Sequence, residues 1–286
     1  MSDYTFPTRE QFWKDDEMLE VIKKRGIKAA ITDFSILLGG CPLVTDYGEI
    51  SYIDGNIVGG FYWTRSDNGK YDPVVIDPYC NGGFCKATDR AAGARPALPF
   101  SSINKIPTNG VSGKRTAADG VLEVKYGFYP QSAVSRKMQQ ELEQQFKSGK
   151  LNKTVNRYTT DSRALKAHDE KFKAKIHEEY EYKGKRYIRV KAKFYLDREH
   201  TLSNGEKYIN GDNVWIEVEP IKWLVSKKDK LLLTEKIVFA GVQFNYERDY
   251  YTEDFEKTDI KKFMDKYWSK DIEQLRSKRK NYGNWY

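Results

Sequence analysis

Phe61-Tyr62-Trp63-Thr64-Arg65-Ser66 and its companion Gly93-Ala94-Arg95-Pro96-Ala97-Leu98-Pro99-Phe100 decide how this sequence is read. Both read as strands lying side by side, with a polar, glycine-rich stretch between them and Pro99 marking the end of the second. Residues 63 and 65 share one strand face. Trp63, Arg65 and Arg95 therefore form a group, since Arg stacks on Trp or pairs a carboxylate in a bidentate fork. The group has two readings: a core network that locks the strands, or the flank of a ligand face.

The rest of the chain supports a sheet-rich protein. Aromatic residues make up 14% of its 286 residues, 20 of them Tyr, and aromatic and β-branched residues favour strands. That length suits one large domain or two small ones, with enough chain to bury a core. The formal net charge of +8 points towards acidic partners, nucleic acid among them. The cations are interleaved with acids, however: residues 166–200 hold 11 Lys/Arg against 7 Asp/Glu, so there is no single-sign block. Cys41, Cys80 and Cys85 make no disulfide framework. The first residues lack the basic and apolar regions of a signal peptide, and no run of about 18 apolar residues suggests a membrane span. A cytoplasmic, reduced protein without a membrane partner is the expectation.

Local signals place most elements. Thr8 and Gln11 form a capping box for a helix carrying Phe12, Met18, Leu19 and Ile22, stopped at Gly26. Asp54-Gly55 signals a hairpin, Asp67-Asn68-Gly69 a turn, and Val74-Val75-Ile76 a short strand. Residues 79–86 read as a glycine-rich loop, and residues 104–120 as a linker or long surface loop. Val121 to Tyr129 alternates as a strand. Ser132 or Ser135 caps a helix to about Ser148, with Val134, Met138, Leu142 and Phe146 as its apolar stripe. Residues 150–172 read as irregular, Ile176 to Tyr195 as a hairpin turning at Lys183-Gly184, and Val214 to Val225 as strand. Leu231 to Leu233 and Ile237 to Phe239 read as short strands, and Thr258 to Trp268 as an amphipathic helix.

Two ordered blocks carry a resemblance. FYWTRS followed by GARPALPF resembles the closing strands of bacterial and prophage domains with a C-type-lectin-like fold. VWIEVEPIKWLV (214–225) and LLLTEKIVFAGVQFN (231–245) resemble the opening strands of the same domains, with YGFYPQSAV (126–134) and RYTTDSR (157–163) leading into them. The closing half comes first here. The resemblance implies an α+β fold of C-type-lectin-like type, with mostly antiparallel sheets and a few flanking helices. Its closing half is residues 1–103 and its opening half residues 121–286, packed together across the 104–120 stretch. It also implies a scaffold that presents loops to a ligand, and no catalytic residue carries over from it.

No motif specifies a cofactor, a metal or a reaction. His168, His177 and His200 lack metal-binding spacing, and His177, at the start of its hairpin, reads as a surface residue. Cys80 and Cys85 lack the partners a zinc site needs. Asp67, Asn68 and Asp72 offer oxygens to calcium, but turn chemistry explains them equally. Gly110 to Thr116 lacks the phosphate-loop spacing and reads as a basic loop. Glu217 and Glu219 share a strand face and read as solvent-facing acids. The leading functional reading is a non-enzymatic binding module whose contacts are Tyr71, Tyr79, Asn81, Phe84 and Arg90, because aromatics and Arg dominate interfaces. Its partner is a protein. The alternative is a phage-type inhibitor that engages nucleic acid or a nucleic-acid-bound defence nuclease through Lys147, Lys150, Lys153, Arg157, Lys183, Lys185 and Arg186.

Overall fold

The computed structural model describes residues 3–25, 30–42, 52–53, 56–57, 60–67, 73–76, 82–84, 92–101, 114–161, 175–195, 199–246 and 254–272. The first helix signal yields two short helices, α1 (Glu10–Trp13) and α2 (Glu20–Arg25). Gln11 does reach back, its Oε1 accepting from the Thr8 N–H at 2.8 Å. Lys14 then turns extended (φ −84°, ψ 128°) and ends the helix after one turn. The chain restarts at Glu20, whose N–H donates to Asp229 at 2.9 Å. A tertiary cap thus replaces the continuous helix, while Phe12, Leu19 and Ile22 are still buried. The third helix, α3 (Asp33–Leu37), is capped by Thr32 and wholly buried.

Strands β1 (Tyr52–Ile53) and β2 (Asn56–Ile57) pair around Asp54-Gly55 as the sequence signals. Strands β3 (Tyr62–Asp67), β4 (Pro73–Ile76) and β5 (Gly82–Phe84) form a separate antiparallel sheet. β5 corrects the loop reading of residues 79–86. Ladder bonds use backbone alone, so Gly82 and Gly83 can pair with Ile76 and Val75 despite their poor strand propensity.

The two opening stretches are neighbours. The Trp63 N–H donates to the Gly93 carbonyl at 3.0 Å, and the Gly93 N–H donates to the Phe61 carbonyl at 2.8 Å. Gly93 leaves room on its other side for Ile237, since a Cβ there would lie 2.2 Å from Ile237 Cγ2. The chain then crosses to the main sheet as β6 (Ala97–Pro99).

That sheet is built from β7 (Lys114–Thr116), β8 (Leu122–Ala133), β9 (Asn152–Thr159), β10 (Ile176–Tyr182), β11 (Lys185–Lys191) and, past a small ladder of β12 (His200–Thr201) with β13 (Lys207–Tyr208), β14 (Asn213–Ser226) and β15 (Leu231–Thr234). Its main path runs β6-β15-β14-β11-β10-β9, with β8 on the other side of β14 and β7 beyond β8. β14 is the spine. Its first half pairs with β11 and its second with β15, while β8 follows it along most of its length. The β8 register shifts at Glu217/Val218 and at Pro220/Lys222. Pro220 has no N–H to give the ladder, and a bulge accommodates it.

Two stretches read as irregular contain strands here: β7 within 104–120, and β9 within 150–172. Both are polar, and their pairing comes from a neighbour rather than from their own pattern. Residues 237–239 make only single bridges, Ile237 to Ile31 and Phe239 to Ala94. The helix α4 (Arg136–Lys147) follows its stripe, with Ser135 accepting from the Met138 N–H. The last helix, α5 (Asp259–Phe263), is capped by Thr258 and continues into a wider π-type turn, Met264–Trp268.

The result is a mixed α+β protein of mostly antiparallel sheets. Its main core takes residues from both sides of the 104–120 stretch, among them Tyr4, Phe6, Trp63, Tyr129, Trp223, Phe239 and Trp268. A smaller core of Val134, Leu142, Tyr187 and Trp215 lies under α4.

Candidate functional site

Of the loop contacts read from sequence, Tyr71, Tyr79, Asn81 and Arg90 lie outside the described residues, as do Asn68, Asp72, Cys80, Cys85 and His168. Phe84 sits on β5, a strand and not a loop; its side chain is outside the description. What is described is the frame that carries these segments. All four residues of β4 are buried. Trp63 on β3 is fully buried and packs on Phe244 at 5.3 Å between ring centroids. Thr64 donates its hydroxyl to the Val74 carbonyl at 3.0 Å. Residues 68–72 therefore lead into, and residues 77–81 leave from, a strand whose four residues are buried.

Trp63, Arg65 and Arg95 do not form one site. Arg95 is 1% exposed; its Nε donates to the Thr234 carbonyl at 2.9 Å, and its guanidinium lies 5.4 Å from the Tyr62 ring centroid. It ties β3 to the end of β15. Arg65 is exposed, and its backbone N–H donates to the Pro7 carbonyl at 3.1 Å.

The basic set does gather, on the α4–β9–β10–β11 side of the molecule, but its charge is balanced. Lys147 pairs with Glu143 at 3.6 Å, Lys153 with Glu178, Lys183 with Glu141, and Lys185 with Glu217 at 2.8 Å. Arg186 reaches Glu179 at 3.4 Å and lies over the Phe128 ring. Lys183 holds the Glu141 carboxyl below its usual range, and Glu217 in turn pushes the Lys185 ammonium up. Lys150 and Arg157 are exposed. Glu217 is thus an ion-pair partner; it and Glu219 are both half-buried with Val218 buried between them, so the two share a face without being fully solvent-facing.

Sequence reasoning missed two groups here. Glu179 has no exposed surface, and accepts from Thr154 at 3.0 Å, Asn156 at 2.8 Å and Tyr158 at 2.6 Å. Alternation along β9 was the available signal, since Thr154, Asn156 and Tyr158 share a face. On the opposite face Val155 is 77% exposed, and neighbouring Ile176 on β10 is 48% exposed. A groove of about 300 Å³ between α4 and the sheet is floored by Phe146 and Tyr180, with Arg157 and Arg189 at its sides. Arg189 is held in a bidentate bond by Glu143, at 2.9 and 2.8 Å.

The histidine reading is also corrected. His177 is buried, its Nε2 3.0 Å from Thr160 Oγ1 and its ring edge-on to Phe34. It is the second residue of β10, and the even alternation that exposes Ile176 turns it inward. His200 is buried elsewhere, against Phe194. Among the described residues no three His, Cys, Asp or Glu side chains gather as metal ligands, and no helix is long and apolar enough to cross a membrane. No protein family, curated protein or solved structure matches the chain.

Proposed function

We propose that this protein is a non-enzymatic binding module of the bacterial cytoplasm. It holds a protein partner through the segments borne on β3, β4 and β5, which include Tyr71, Tyr79, Asn81, Phe84 and Arg90. The likeness to C-type-lectin-like domains of bacteria and prophages is part of this proposal. The observation that carries it is the anchoring of β3 and β4 in the core. Aromatic segments tied to fixed backbone lose less freedom on binding, and binding residues concentrate on such connections.

The charge pattern supports a protein over nucleic acid. A phosphate-tracking surface needs cations free to displace counterions. Lys147, Lys153, Lys183, Lys185 and Arg186 are each engaged by a carboxylate. Mixed charge of this kind beside exposed Val155 and Ile176 suits a protein neighbour.

Affinity capture from bacterial lysate, with and without nuclease, tests the reading. The Tyr79→Ala/Phe84→Ala variant is expected to lose the captured partner while keeping its melting temperature. A Lys183→Gln/Lys185→Gln/Arg186→Gln variant is expected to retain it, nuclease is expected to make no difference, and added salt to weaken capture little. Loss of the partner on nuclease treatment, with the basic variant inactive and the aromatic variant active, would reject the proposal in favour of nucleic acid.

A further inference from the structure

A cleft of about 230 Å³ opens where the chain ends α3, leaves β9, enters β10 and leaves β11. Thr160, Asp161, Lys175 and Lys193 line it. Its frame is fixed by backbone bonds: the Thr160 N–H donates to the Lys175 carbonyl at 3.3 Å, and the Lys193 N–H donates to the Leu37 carbonyl at 2.9 Å. Gly241 closes one wall in a left-handed conformation (φ +77°), where a Cβ would lie 2.8 Å from the Leu38 carbonyl oxygen.

Most lysines described above sit against a carboxylate, yet among the described residues neither Lys175 nor Lys193 makes an ion pair. Lys175 is half-buried. Burial first, and then the charge of Lys193, holds its ammonium below the usual lysine range, with Asp161 pulling the other way. His177, behind Thr160, is held neutral by its own burial and adds no charge. Among the described residues that line it, two lysines stand against one aspartate, a positive balance. Setting two cations against each other in a partly dry site costs free energy, and an anion between them offsets that cost.

We propose that this cleft binds a phosphate group, either inorganic phosphate or the end of a small phosphorylated molecule. Lysine acts on phosphate as a point charge, whereas planar carboxylates favour the fork of arginine. The cleft is smaller than the pockets of about 300–1,000 Å³ that take drug-sized ligands, so the ligand is small. Tyr195, 44% exposed at the rim, is placed to cover an organic portion. None of its described lining residues lies on β3, β4 or β5, so either proposal can fail without the other.

Calorimetric titration at low ionic strength tests it, with inorganic phosphate, glucose 6-phosphate and glucose as probes. Both phosphate probes are expected to bind saturably and glucose not to bind. Lys175→Gln and Lys193→Gln are each expected to weaken binding about tenfold or more, the size of a lost charge-assisted bond, while the exposed-lysine control Lys150→Gln leaves it unchanged. Tighter binding of glucose 6-phosphate, lost in Tyr195→Ala, identifies a phosphorylated molecule; equal binding of the two identifies inorganic phosphate. A readout free of folding artefacts is the Lys175 side-chain carbon resonance of the unaltered protein, whose titration should move to higher pH when phosphate is added. No saturable binding of either probe overturns the proposal. So does equal weakening by all three lysine variants, or a Lys175 titration that phosphate does not move.

Discussion

Buried beside Phe34 and Thr160, the His177 ring resists protonation. Its pKa falls from 6.5 to about 3, first through burial and then through the nearby Lys175 charge, against a smaller opposing contribution from a backbone hydrogen bond with Arg189. Above pH 6.5 the folded and unfolded chains both hold the ring neutral, and it contributes no pH dependence. Between pH 6.5 and about 3 the unfolded chain takes up a proton that the folded chain does not. Stability is therefore expected to fall with pH across that window, by up to about 1.4 kcal/mol per pH unit from this residue. Denaturant titrations of the wild type and His177→Gln check this: the variant should have a flatter profile below pH 6.5, and parallel profiles would show that the ring is accessible. The surface reading of His177 failed because polarity alone says nothing about which strand face a residue takes. The same holds for Glu179, which sequence presents as one of several acids and the fold makes the acceptor for four side chains.

At the scale of elements, legibility follows the range of the causes. Helix α4 is specified by its own residues, through the Ser135 cap and a stripe at four-residue spacing, and it forms where the pattern puts it. The β10–β11 hairpin is equally local: Lys183 and Gly184 both adopt positive φ, 51° and 73°, as a two-residue turn of this hand requires. Strands β5, β7 and β9 have no such signature, since glycines and polar residues enter a ladder only because β4, β8 and β10 offer an edge. The break between α1 and α2 has the same origin, a cap supplied by Asp229. The small core under α4 gives a direct test. Leu142 has no exposed surface and lies at its centre, so Leu142→Ala is expected to cost about 2–5 kcal/mol. Hydrogen exchange should locate the loss in α4 and the β10–β11 hairpin, with the amides of β15 less affected. Uniform loosening of the whole chain would show that the two cores do not respond separately.

Across the whole molecule, the early and late parts of the chain complete one another. Tyr4 packs against Trp223 at 6.3 Å and Trp268 at 4.7 Å, Phe6 meets Phe255 at 5.5 Å, and β6 pairs with β15. Arg25 reaches Asp119, Glu123 and Glu235 at 2.6, 2.7 and 2.6 Å. A fragment spanning residues 114–272 would expose the faces that Tyr4, Phe6 and β6 cover. It is expected to lack a cooperative unfolding transition, whereas residues 1–272 should melt in one step; a sharp transition in the shorter fragment would refute the shared core. The sheet-rich character and several hairpins were readable from composition and turn signals. The strand order was not, because ladders between distant segments leave no local mark. That arrangement also bears on how the chain is made. Tyr4 leaves the ribosome long before Trp268, so the main core cannot close until Trp268 has emerged. Until then Tyr4, Phe6 and the β6 edge must wait for their later partners, and folding dominated by such distant contacts is slow. Newly made chains should therefore depend on chaperones that shield apolar surface, and slowing synthesis should not relieve that dependence.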